Sequence, residues 1–528
     1  MIETALVSDG SARRSWGRTV RLLLAPPVFR LLFLGFSAGL PYLLIFGTLS
    51  IWLTEAGIQR STVTMLSWAA LAFSFKFAWA PLVDRMPLPG LTRLLGRRRA
   101  WLLLSQLCVC ASLVATGFSD PLQSLTVTAM GAVAIAFSAA TQDIVIDAYR
   151  IEAAEPDLQS MMAATYQAGY RAGMLVSGAG ALWLAGWLGT SLESYSLDAW
   201  ALTYWIMAGL MGIGVVTTLF IPEPPPNAAR DAARGEGDSL ARHLQLLVFV
   251  LLGAGIFILS FLWFGSVRDG LRASGTGLGA FLAAAGPFLG AMVEALRFVL
   301  SGALALGALA LLTVLRPGWR SNLSATYFSP VADFFDRYGR LALLILLLIG
   351  TYRISDIVMG AVANVFYTEM TFTKEQIALY TKVWGVVATL VGGFVGGIFA
   401  LRRGVMSAMF MGALFVSVTN LLFAVLAHHP GDELYLAIAI TGDNFAGGFA
   451  GAAFIAYLSA LTSVQFTAMQ YALFSSLMTL GPKILAGYSG SMVTAFGYDT
   501  FFVGCAIIGL PVLLLVVLAA RYAPPGRT

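Results

Sequence analysis

Charge is scarce in this chain: only 11% of its 528 residues are Asp, Glu, Lys or Arg. A water-soluble globule carries about a quarter of its residues as charges, so that class is excluded from the start. Histidine and cysteine are rarer still, with three of each. Cys108, Cys110 and Cys505 lie in apolar surroundings with neither a disulfide framework nor zinc spacing, and they read as packing residues. His243 stands alone, while His428 and His429 share a short loop with Asp432 and Glu433, which reads as solvated turn chemistry and supplies no metal site. Strand-like alternation of apolar and polar residues is also missing, which argues against an outer-membrane barrel. The first apolar run, 28 to 53, is too long for a signal-peptide core and lacks a small-residue cleavage pattern, so it is expected to be retained as a helix.

What the chain does contain is hydrocarbon: 58% apolar residues and a mean hydropathy of +0.81. The apolar residues come in runs of about 20, long enough for a helix to cross a bilayer core of about 30 Å. Backbone groups in lipid must bond internally, which makes the helix the expected form of every run. Spans are predicted near 28–53, 62–83, 100–119, 122–149, 160–188 and 199–221. Two more are expected near 245–267 and 283–315, the second kinked around Pro287, and six further near 341–367, 376–400, 405–427, 433–460, 465–491 and 498–521. The expected architecture is an all-α integral membrane protein of about fourteen spans, arranged as six plus two plus six.

Loop charge sets the expected orientation. With alternating loops, one side collects 22 Lys and Arg residues and the other only Arg60, Arg268, Arg272 and Lys374. The positive side is the cytoplasmic one, so both termini are expected there. The formal net charge of +5 then faces anionic lipid headgroups and needs no nucleic acid to explain it. Domain boundaries follow: a cytoplasmic N-terminal segment 1–27, a six-helix half 28–221, linkers with two additional helices 222–340, a second six-helix half 341–521 and a tail 522–528. Each half has a basic turn between its second and third spans, at Asp84, Arg85 and Gly96 to Arg99 in the first and at Arg402 to Gly404 in the second. Two similar halves around a midplane cavity are the architecture of major facilitator transporters. Glycines four apart, Gly35 and Gly39, Gly169 and Gly173, Gly392 and Gly396, Gly393 and Gly397, are expected to form close helix seams.

Ionisable residues inside apolar spans are costly in lipid and should face a cavity or a partner. Lys76, Arg171, Arg297, Arg353, Lys382 and Lys483 meet this test, as do Asp143, Asp147, Glu294, Asp356 and Asp443. Asp143 and Asp147 stand one helical turn apart on one face, so a cation nearby or a bound proton is required. Asp143, Asp147 and Asp443 are therefore candidate proton-coupling groups. Gln142, Arg171, Lys382, Asn444 and Tyr170 are candidate substrate-binding residues, with Arg171 expected beside Asp143 or Gln142 and Lys382 facing Asp356 or an anionic substrate. Lys76 with Asp147, Asp84 with Arg85, and Arg353 with Asp356 are candidate charge pairs or gates. A static salt-bridge network is the competing account of the same residues.

Several segments together resemble the AmpG family of muropeptide permeases. They are Gly39-Leu40-Pro41, the run Phe75 to Arg85, Gly96-Arg97-Arg98-Arg99-Ala100-Trp101, the run Ser138 to Ala148, the run Gly169 to Gly178, the Lys382 segment, and Asp443-Asn444 with the glycines after it. The resemblance covers both six-helix halves and departs at the central insertion, Pro222 to Arg340. It implies a proton-coupled transporter of the bacterial inner membrane. The implied substrates are N-acetylglucosaminyl-1,6-anhydro-N-acetylmuramyl peptides, imported from periplasm to cytoplasm for peptidoglycan recycling. No cofactor is expected, the proton being the coupling ion. The expected partners are the muropeptide and membrane lipid, without nucleic acid, and the expected state is a monomer. Two alternatives stay open: a transporter of acetyl-coenzyme A or another anionic metabolite, and, from another class, a polytopic enzyme acting on lipid-linked sugars.

Overall fold

A computed structural model describes residues 25–522 apart from 46, 59–70, 154–157, 192, 226–239, 276, 278, 281–286, 374–375, 378 and 487–488. The described residues contain helices and no strand. Thirteen of the helices carry labels below. They are α1 (Pro26–Ile45), α2 (Arg97–Gly117), α3 (Leu125–Glu152), α4 (Gln159–Leu175), α5 (Leu197–Phe220), α6 (Leu240–Ala273), α7 (Pro287–Leu315), α8 (Leu341–Thr351), α9 (Gly385–Arg403), α10 (Val405–Ala427), α11 (Glu433–Leu461), α12 (Thr467–Ala486) and α13 (Ser489–Tyr522).

Among the described residues, ten helices are long and apolar enough to cross a membrane. An eleventh span appears if Val299–Leu315 and Gly318–Tyr338, bent by 119°, count together. The other three of the fourteen expected spans are helical where described but too broken or too polar to qualify. The described part of 62–83 consists of Leu71–Phe75, a 3-10 turn Lys76–Ala78 and Ala80–Arg85. The run 160–188 is α4, a π-helical turn Val176–Gly180 and Ala181–Trp187, and α4 carries Gln159, Gln167 and Arg171. In α12 the interruption is Pro482 beside Lys483. Polar residues and wide turns in a lipid solvent require shelter among other helices, so these three spans are the ones expected to line an interior.

The chain divides into two compact units. One comprises residues 1–231 with 334–528, the other Ala232–Asp333. In the first unit, the N-terminal half packs α1 against α4 through the four glycines anticipated from spacing. A Cβ on Gly35 or Gly39 would run into the carbonyls of Tyr166 and Tyr170, and one on Gly169 or Gly173 into those of Leu32 and Phe36. Small residues let two backbones approach where lipid gives no hydrophobic drive for association. Trp52 stacks on Trp200 at 5.7 Å beside Tyr204, closing the core of this half.

In the C-terminal half, α9 turns Gly392 and Gly396 onto the carbonyls of Phe445 and Phe449 in α11. Val387, Val391 and Val395, one turn apart on α9, are exposed and present a stripe to lipid. Gly96 and Gly404 open α2 and α10 with the same backbone geometry, φ +85° and ψ 174° against φ +89° and ψ 154°. That region of φ is open to glycine and costly for other residues. The matching turns are a backbone-level trace of the repeat that the two basic loops suggested.

In the second unit, α6 packs against α7. The buried Arg297 donates to the Phe261 carbonyl at 2.8 Å and lies over its ring at 3.7 Å. Gly265 leaves the room for this guanidinium. The side chain of Glu294, the expected partner of Arg297, lies outside the described residues.

Candidate transport cavity

The basic end of the first unit is built around Arg98, which is fully buried. Its guanidinium holds Asp84 at 2.7 Å and Glu152 at 2.6 Å. Arg97 adds a bond to the Asp84 carbonyl and lies 3.8 Å from Glu152. The start of α2 is capped from 125 residues away, because Glu223 accepts from the amides of Arg98 at 2.8 Å and Arg99 at 3.0 Å. Those free amides are the positive end of the helix, a natural seat for a carboxylate. Burial raises the Glu223 carboxyl above the ordinary carboxylate range, while the two amides and Arg98 pull it back. Asp84 also reaches the other half, where its second oxygen accepts from the Met469 amide at 3.0 Å in the first turn of α12. One carboxylate thus joins both halves at this end.

A second chain of charges runs inward from there. Lys76, at the 3-10 break, pairs with Asp147 at 3.3 Å, as its placement on the second span led us to expect. Asp147 also lies 3.7 Å from Arg150, one turn along α3. Arg150 is fully buried. It donates to the Ser459 hydroxyl of α11 at 2.6 Å and sits over the Tyr471 ring of α12 at 5.2 Å. Asp143, one turn before Asp147, lies within electrostatic reach of Lys76 and Tyr166. Its Oδ1 is buried without a hydrogen-bond partner. Trp79 donates to Thr141 at 3.1 Å and fixes this part of α3 against the broken span. Gln142 is turned the other way. It is fully enclosed and donates to Ser37 of α1 at 2.9 Å, which makes it part of a helix seam in this structure.

The third group stands midway along the bundle and draws on both halves. The charged residues that weigh most on Arg171 of α4 are Arg353 and Asp356. Arg353 pairs with Asp356, three residues on, and Asp443 of α11 lies in the field of Asp356, Arg353 and Arg171. Arg171 was expected beside Asp143 or Gln142; among the described residues it makes no ion pair with Asp143 and no hydrogen bond with Gln142, and the charges that act on it most belong to the opposite half. The cause is helical phase: Arg171 follows Gly169 and Tyr170, whose backbone is occupied by the α1 seam, so its side chain leaves on another face. Arg171 and Asp443 sit within α4 and α11, and Arg353 stands at the break before the short helix Ile354–Gly360 with Asp356 in its first turn, yet each of the four keeps part of its surface accessible, 32% for the Arg353 side chain. Partial access at membrane depth is what a water-lined cavity produces.

Tyr170 flanks this group, with its ring 6.2 Å from Tyr42, which in turn meets Phe73 at 5.8 Å. Asn444 accepts from Thr389 at 3.0 Å and packs against Gly385, tying α11 to α9. Lys382 lies on the π-helical turn Leu379–Trp384, and its side chain is outside the described residues. Arg85 closes the short helix Ala80–Arg85 next to Asp84, whose carboxylate is held by the more distant Arg98.

Sequence reading missed Arg98, Glu152, Glu223, Arg150, Ser459 and Met469 as partners in these groups. Apart from Asp147, three residues before Arg150 on α3, their partners lie on other segments, and spacing along one helix carries no sign of them. Only the depth of Arg98 and Arg150 at span ends, with acidic residues at comparable depth, was available as a signal.

Helices throughout, lipid-facing apolar stripes and mid-membrane charges shared by two halves define a polytopic membrane carrier. Residues 31–332 match the model of the Major Facilitator Superfamily. The chain is 31% identical over 490 residues to the protein named AmpG 4 of Rickettsia conorii, spanning 93% of this chain and 95% of that one. It is 28% identical over 504 residues to the anhydromuropeptide permease of Escherichia coli K12, spanning 95% and 81%. Its backbone is similar to the major facilitator transporter FucP in the outward conformation, with a TM-score of 0.57 at 12% identity over 96% of this chain and 100% of that one. The proton:xylose symporter XylE gives a TM-score of 0.58 at 11% identity over 96% of each chain. The chain belongs to the Major Facilitator Superfamily and, within it, to the AmpG family of transporters.

Proposed function

We propose that this protein is a proton-coupled importer of anhydromuropeptides, carrying them from periplasm to cytoplasm across the bacterial inner membrane by alternating access. The observation that carries this reading is the convergence of Arg171 from one half with Arg353, Asp356 and Asp443 from the other, midway through the bundle. Charges of both signs at that depth suit a glycopeptide with carboxylates and amide dipoles, and the name of the Escherichia coli relative supports the same substrate class. The excess of Lys and Arg on one side supports cytoplasmic termini. In this reading Asp143 takes up the coupling proton. Its partnerless oxygen, the nearby Asp147 and a single shared lysine make a site that changes partner when protonated. Asp443 is the corresponding carboxyl of the other half. Arg171 and Tyr170, with Lys382 from the π turn, contact substrate, while Gln142 and Asn444 hold the helices that present them. Asp84, Arg98 and Arg150 close the cytoplasmic end in this conformation.

The experiment is uptake into proteoliposomes under an imposed inward proton gradient, comparing labelled N-acetylglucosaminyl-anhydromuramyl tripeptide with acetyl-coenzyme A. Saturable accumulation of the first alone, abolished by a protonophore, is the expected result. Accumulation of acetyl-coenzyme A instead, or conversion of the muropeptide to a new product, would overturn the substrate assignment.

A further inference from the structure

The charges of the two inner groups balance: Lys76 and Arg150 accompany Asp143 and Asp147, and Arg171 and Arg353 accompany Asp356 and Asp443. Lys483 stands apart from this accounting. It lies in the last turn of α12 beside Pro482, with its side chain exposed. Its ammonium reaches across the junction of the halves to the Ser74 hydroxyl at 3.4 Å, a long contact for a charged donor. Among the described residues it makes no ion pair. A lysine at this depth without an anion is costly unless something brings the anion to it.

What surrounds Ser74 indicates the shape of that ligand. Phe73 precedes it on the same short helix and meets Tyr42 at 5.8 Å, and Tyr42 meets Tyr170 at 6.2 Å, next to Arg171. All three rings are partly accessible. An aromatic run of this kind offers flat faces to pyranose or acetamido groups, with a cation at each end. Pro482 frees a carbonyl one turn earlier in α12 and loosens the helix where Lys483 must reorient between Ser74 and an incoming anion.

We propose that Lys483, positioned by Ser74, is the recognition point for a carboxylate of the transported glycopeptide, with the sugar rings lying along Phe73, Tyr42 and Tyr170. This rests on the substrate class proposed above. Because Lys483 and Ser74 belong to opposite halves, a carboxylate bound between them would link substrate occupancy to the approach of the halves. No covalent step is involved.

The test uses the full-length transporter in proteoliposomes and two probes: labelled anhydromuramyl tripeptide and the same molecule with its peptide carboxylates amidated. The wild type is expected to favour the free acid by about tenfold in KM, the worth of one charge-assisted contact of about 1.4 kcal/mol. Lys483→Gln should raise KM for the acid about tenfold, leave KM for the amide and the maximal rate unchanged, and so erase the discrimination; Lys483→Arg should restore most of it. Equal losses for both probes would mark a structural lysine, and persistent discrimination in Lys483→Gln would place the carboxylate elsewhere; either overturns the inference. An anionic-lipid dependence of the wild type that Lys483→Gln loses, with discrimination unchanged, would assign the ammonium to a headgroup and also overturn it. If the wild type takes up neither probe, the substrate reading itself fails, and that outcome is distinct because it appears before any variant is compared.

Discussion

The charge groups at the basic end and at mid-bundle use the same residue types in opposite ways. Around Arg98 the carboxylates Asp84 and Glu152 are held at 2.6 to 2.7 Å, and the guanidinium is sealed from solvent. Around Arg353 the single carboxylate Asp356 comes from the first turn of the short helix that Arg353 precedes, and about a third of the arginine side chain stays accessible. A sealed pair is expensive to break, since removing one partner strands the other in low dielectric. An accessible pair exchanges partners at little cost because water can replace either one. The contrast separates a part of the molecule that holds a conformation from a part free to meet a ligand.

The sharpest way to break the comparison is Arg98→Met. It strands Asp84 and Glu152 and should lower stability by about 3–5 kcal/mol, seen as a large drop in the melting temperature of the purified protein or as loss of the folded fraction. Arg353→Met should lower it far less; similar losses for the two would remove the distinction. Next in size is Asp143→Asn, which should abolish accumulation against a gradient while exchange of substrate across the membrane persists. Each tenfold of accumulation needs about 1.4 kcal/mol, and without a titrating carboxyl the proton gradient no longer supplies it. Unchanged concentrative uptake would remove Asp143 from this role.

A smaller effect is expected in the seams. Gly39→Val drives a Cβ into the Tyr170 carbonyl and should cost at least the ~1–3 kcal/mol typical of overpacking, whereas Gly186→Val meets open space and should leave the melting temperature unchanged. The gentlest probe is Ser459→Ala, which deletes one hydrogen bond to the buried Arg150 and should favour opening of the basic end by about 1.5 kcal/mol. Faster thiol labelling of Ser160→Cys, placed where α4 meets α9 in a background without the native cysteines, would register it.

The apolar runs made the helical membrane fold legible, because the bilayer imposes one length and one backbone solution on every span. The glycine seams were legible for a similar reason: spacing of four on a helix defines a face. Arg353 with Asp356 was readable from a separation of three residues, and Lys76 with Asp147 from their depth on neighbouring spans. Arg171 was not, since its partners depend on the phase at which α4 meets the other half. Glu223 was hidden altogether. It follows α5 in a segment whose composition signals a linker, and only the folded chain brings it to the amides of α2.

That glutamate has a practical consequence for anyone wishing to label or visualise this protein. By docking on the start of α2, Glu223 clamps the polypeptide to the N-terminal half at the very start of the central insertion. Whatever is spliced in a few residues downstream, a fluorescent domain or a rigid imaging fiducial, would pull on this clamp before it could pull on α5 or the residues inside the bundle. Loop-closure entropy grows only slowly with added length, so an insert there should leave transport kinetics intact.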